Sequence, residues 1–162
     1  MGHAEVAHAV NTGLLIRRPV AEVFEAFIDP DITARFWFSD SSGRLEPGAK
    51  VTWTWAMYGF SSPATVTAFE PDQALAVDWG DGDDRTRVDW AFEARGPDQT
   101  FVSVTHSGFS GEPEAQAAAA LDGMNGFTLV LAGAKIWLEH RIEPRFVLDR
   151  HPDARVAAWR DR

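Results

Sequence analysis

With 162 residues the chain suits one domain, able to bury roughly 70% of the surface that its unfolded form exposes. Its 24 acidic against 15 basic residues leave a net charge of −9, a field that repels phosphate backbones and anionic headgroups, so neither nucleic acid nor a membrane is an expected partner. The absence of cysteine excludes disulfides, thiolate metal sites and cysteine nucleophiles.

The opening MGHAEVAHAV lacks a basic stretch followed by an apolar core, and no apolar run approaches about 20 residues, so a cytoplasmic protein is expected. Residues 1–9 read as a tail, 10–153 as the domain and 154–162 as a second tail. Val10 to Ile16 suit a first strand. Pro19 then opens a helix in which Val20, Val23, Phe24 and Phe27 share a face, until Asp29-Pro30 interrupts it and a second short helix runs through Ile32, Phe36 and Trp37. From Gly43 the period changes to two. Val51, Trp53, Trp55 and Met57 fall on one strand face, as do Leu75, Val77 and Trp79, then Val88, Trp90 and Phe92, then Val102, Val104 and His106. Ala64 to Phe69 makes a further strand, and the short turn-rich links imply antiparallel neighbours.

From Glu112 the pattern turns helical, with apolar residues on nearly every side, so this helix must be covered by more than the sheet. At about 100° per residue, Met124, Phe127, Leu131, Leu138 and Ile142 form one stripe, assigned to the sheet and pocket. Val130 and Trp137 form a second stripe, beside which Gly126 and Gly133 let another group approach closely, and Leu129 with Ile136 make a third. Two covers fit equally: docking of the Phe146-Val147-Leu148 segment, or a homodimer.

Three segments carry a family resemblance: RRPVAEVFEAFIDP, THSGF, and GFTLVLAGAKIWLEHRIEPRFVLDRHPD. In their order and spacing they resemble the START-like, or SRPBCC, helix-grip superfamily, and within it the branch of the activator of the ninety-kilodalton heat-shock protein's ATPase. The resemblance implies an α+β helix-grip fold: a curved antiparallel sheet around a long C-terminal helix, two short helices after the first strand, and a ligand cavity between sheet and helix. The Gly-Trp pair frequent in the family reads Gly126-Phe127 here, which keeps the ring without the indole N–H.

The ligand-binding candidates are therefore Trp37, Trp53, Trp55, Trp79 and Trp90 on the aromatic face, with Met124, Phe127, Leu131 and Leu138 on the helix. His106 is the catalytic candidate, since a histidine turned inward could act as general base; the alternative is a neutral core ring bonded near the Gly108 bend. Asp122 and Asn125 could stand at a pocket mouth, while Lys135 is expected to snorkel. The run Gly80-Asp81-Gly82-Asp83-Asp84 fits an acidic turn better than a calcium loop, and neither metal nor cofactor is expected. The leading functional expectation is a non-enzymatic binder of a small hydrophobic or amphipathic molecule. A cyclase- or hydrolase-type enzyme using His106 and a co-chaperone stimulating a heat-shock ATPase are the alternatives.

Overall fold

Alternating β-branched and aromatic residues build most of the sheet. The computed structural model describes residues 8–162, so most of the expected N-terminal tail lies outside the described residues. The strands are β1 (Val10–Ile16), β2 (Asp40–Ser41), β3 (Lys50–Trp55), β4 (Phe60–Glu70), β5 (Ala74–Trp79), β6 (Thr86–Ala94) and β7 (Thr100–Ser107). They form one sheet in the order β1-β7-β6-β5-β4-β3-β2, every pair antiparallel. The register sets Val77 opposite Val88, Val88 opposite His106 and Trp90 opposite Val104, so one face collects the apolar residues. A bulge between Val66 and Ala68 interrupts the β4–β5 ladder, a device that increases local twist.

Helices α1 (Val20–Ile28) and α2 (Pro30–Thr33) follow β1. Asp29-Pro30 separates them as the sequence requires: Asp29 leaves helical geometry, and its carboxylate accepts the Asp31 N–H at 3.0 Å to cap the next turn. The Thr33 hydroxyl donates to the Ala26 carbonyl at 2.6 Å, tying the two helices together. The second helix is shorter than expected. After Thr33 the bonds tighten, with Arg35 N–H on Ile32 at 2.9 Å and Phe36 N–H on Thr33 at 3.1 Å, so Phe36, Trp37 and Phe38 leave the helix and enter the core through a turn.

The long helix, α3 (Pro113–His140), crosses the sheet's apolar face, packing most heavily on β1 and next on β7. It buries Phe127, Val130, Leu131, Ala134 and Leu138, each large side chain contributing about 1.5–3 kcal/mol. By length and hydropathy alone it could cross a bilayer, but here it is the core helix of the fold. It ends at Arg141, whose φ of 54° places a non-glycine residue in the left-handed region. Ile142, expected on the pocket stripe, therefore lies beyond the helix and is 61% exposed. The chain then returns as α4 (Phe146–Arg150), docked against α3 with Val147 and Leu148 half-buried.

Residues 154–162 form short turns against the same body. The Val156 N–H donates to the Met57 carbonyl at 2.9 Å, and buried Arg155 holds the Leu148 carbonyl at 3.0 Å and Asp149 at 2.6 Å.

A candidate ligand cavity between sheet, helix and tail

Three segments leave a cavity of about 460 Å³ where the sheet meets the first half of α3. The sheet supplies Trp55, Phe60, Trp79, Thr86 and His106; α3 supplies Ala119, Gly123, Gly126, Phe127 and Val130; the returning tail supplies Val147, Arg150 and His151. Trp37, arriving from the turn after α2, completes an aromatic floor. Its ring lies 5.9 Å from Trp79 and 5.5 Å from Phe127, and Phe127 lies 5.3 Å from His106.

His106 sits on β7 directly beneath α3. Alternation turns it inward, and its Nε2 lies 2.8 Å from the Thr86 hydroxyl at the start of β6. Gly123 makes room for the other ring edge: a Cβ there would stand 2.6 Å from Nδ1. Nδ1 itself is buried without a hydrogen-bond partner, as is the Trp79 indole nitrogen of the same cavity. Gly108, at φ 82°, bends the chain after β7, and the Phe109 ring lies 4.6 Å from the imidazole. Burial drives the imidazole pKa down from 6.5 to about 4, against a smaller upward pull from Asp122. The ring is therefore neutral at physiological pH.

The mouth is polar. Gly126 leaves open the space into which Arg150 reaches, since a Cβ there would lie 2.8 Å from its guanidinium. Arg150 lies across the helix and pairs with Asp122 at 2.7 Å. The Tyr58 hydroxyl donates to the Val147 carbonyl and accepts the His151 N–H at 3.3 Å, which pins the tail to the turn between β3 and β4. Of the two covers expected for α3, tail docking is thus seen, with glycine placing the tail's Arg150 against the helix.

The other expected site residues separate by depth. Trp37, Trp55, Trp79, Phe127 and His106 line the cavity. Trp53 and Trp90 are buried one layer behind it, 4.9 Å and 6.1 Å from the Trp37 ring. Leu131 and Leu138 belong to the core. Met124, placed on the pocket stripe from the helical count, is 37% exposed, because the tail covers the opposite flank of Phe127. Lys135 points away and bonds the Leu15 carbonyl at 2.8 Å and Glu139 at 2.6 Å. Sequence reasoning passed over Thr86, Phe60, Gly123 and Arg150; a glycine within an apolar helix facing a strand histidine was the available signal.

A seven-stranded antiparallel sheet gripping one long helix, with two short helices after its first strand and an aromatic cavity beneath the helix, defines a helix-grip protein of the START-like class. Residues 17–134, more than half of the chain, match the model of the family described as "Activator of Hsp90 ATPase homolog 1-like protein", and the chain belongs to that family. No curated protein sequence matches it. A crystal structure of a Staphylococcus saprophyticus protein is similar at 28% identity and TM-score 0.73, covering 85% of this chain and 96% of that one. The solution structure described as the Aha1 dimer from Colwellia psychrerythraea is similar at 20% identity and TM-score 0.68, covering 82% and 97%. CalU16 from Micromonospora echinospora follows at 18% and 0.67, covering 94% and 86%. The last two establish the fold alone.

Proposed function

We propose that this protein binds a small hydrophobic or amphipathic molecule in the cavity between sheet, α3 and tail. The observation that carries the reading is an aromatic cavity of about 460 Å³, within the usual size of small-molecule sites, walled by Trp37, Trp55, Trp79 and Phe127 with Thr86 and Arg150 among its few polar groups. A ligand with an apolar body and one or two polar atoms suits that lining. Binding to the folded state alone adds about 2.7 kcal/mol at a hundredfold excess over Kd, which for a domain of this size raises Tm by about 5–10 °C. The test is a thermal-shift panel of fatty acids, flat aromatics and polyketide-like rings, with native mass spectrometry of protein taken from its host. A flat panel together with a ligand-free host protein would remove the proposal.

Two further readings have narrower support. Catalysis through His106 draws on its place in the cavity, but the ring has no orienting carboxylate and Nδ1 lies beneath Gly123; turnover surviving His106→Asn would dismiss it. Stimulation of a heat-shock ATPase draws on the family's description and on similar structures, including one described as an Hsp90 activator from Plasmodium falciparum; an ATPase assay with and without this protein decides it. A homodimer would use the outer face of α3, where Leu121 is 63% exposed, and the similar Colwellia structure is described as a dimer. A light-scattering mass equal to the monomer's 17.9 kDa would remove that partner.

A further inference from the structure

A second hollow, of about 510 Å³, shares Trp37 and Val147 with the cavity but is otherwise built from different residues. The turn after α2, Met57, the link between α3 and α4, and Trp159 with Arg162 enclose it. Its floor is aromatic and its rim cationic: Arg35, Arg145 and Arg162 line it against one acidic side chain, Glu143. On a chain of net charge −9 this is a local reversal of sign.

The three arginines are also uncommitted. Most arginines of the described residues spend side-chain donors on carboxylates or carbonyls. Arg35, Arg145 and Arg162 make no side-chain hydrogen bond among the described residues, and only Arg17, Arg85 and Arg160 share that condition. Half of the unspent guanidiniums thus gather at one hollow. Two of them lie over an aromatic ring, Arg35 at 5.1 Å from the Trp137 centroid and Arg162 at 4.7 Å from the Trp159 centroid. A cation–π contact spends none of the guanidinium N–H donors, which remain available to an anion. The Arg35–Glu143 pair, 4.0 Å apart with both side chains about half exposed, competes weakly for them.

We propose that this hollow is a binding site for a small organic anion, a carboxylate or phosphate carried on a flat apolar body. The body lies on Trp37, Phe38 and Trp159, and Arg35, Arg145 and Arg162 hold the charge. Calorimetry with 2-naphthoate, 1-naphthyl phosphate and neutral 2-naphthol tests it, the first two separating carboxylate from phosphate. The expected result is that at least one anion binds ten times or more tighter than naphthol, with an affinity that falls as salt rises. Arg35→Gln and Arg145→Gln should each weaken it about tenfold, while Arg85→Gln and Arg160→Gln leave it unchanged. The proposal is overturned if neither anion binds at millimolar concentration, if naphthol binds as tightly, or if Arg160→Gln weakens binding as much as Arg145→Gln. Loss on Arg150→Gln but not on Arg145→Gln would also overturn it, by moving the anion to the first cavity.

Discussion

Lowering the pH from 7 to 5 should destabilise this protein through His106 in particular. The imidazole is 6% exposed and its folded pKa is near 4, against 6.5 unperturbed. Above 6.5 the ring is neutral whether the chain is folded or unfolded, and it contributes no pH dependence. As the pH falls from 6.5 towards 4, the unfolded chain takes up the proton and the folded chain does not, so stability is lost across that window and no further below it. From these two pKa values the loss is about 2 kcal/mol at pH 5 and about 3 kcal/mol at pH 4. Urea denaturation at pH 7 and pH 5, on the wild type and on His106→Gln, isolates this contribution because the other histidines are common to both. Glu22 and Glu139, where burial pushes upward but neighbouring donors prevail, and Glu25, beside Arg44, are held below the usual 4.5; all three are common to both proteins and cancel in the comparison. The wild type should lose about 2 kcal/mol more than the variant; equal losses would refute the neutral, buried imidazole.

The two α3 glycines outside the His106 contact should respond with opposite sign. At Gly126 a new methyl meets only the far end of the Arg150 side chain, which can shift at some cost to its pair with Asp122, so Gly126→Ala should show a net gain of up to about 1 kcal/mol of helix propensity. At Gly133 the methyl meets Phe36 Cβ and Pro144 Cγ, both at 3.1 Å, and thermal denaturation of Gly133→Ala should record a net loss of about 1 kcal/mol. Tyr58→Phe removes the hydroxyl that pins the tail and should cost about 1–2 kcal/mol locally, with amide exchange of residues 146–151 accelerating before that of the sheet. Phe127→Ala, at a ring 3% exposed and touching four others, should cost about 3–5 kcal/mol in urea denaturation.

Much of the fold was legible because its signals are local. Alternation around Trp53, Leu75, Trp90 and Val104 gave strands whose inward faces match the structure, and Asp29-Pro30 placed the break between the short helices. The cavity's position on α3 was less legible for a geometric reason. Met124 and Val130 each lie about 60° from Phe127, on opposite flanks of the helix, and periodicity treats them alike. Which flank faces the cavity depends on where the tail returns. That return starts at Arg141, a left-handed position occupied by arginine where glycine usually signals a helix end, and so periodicity alone carries the stripe on to Ile142. Arg150 and its place over Gly126 depend on the same turn.

Trp37 and Val147 each present a surface to both hollows. They act as a partition between two compartments rather than as the wall of one. An occupant that moves either side chain alters the free energy of filling the neighbouring compartment, and thermodynamic reciprocity requires the effect to run equally in both directions. If both proposals hold, the short segment that carries Val147 is a meeting point for two separate chemical inputs, one apolar and one anionic.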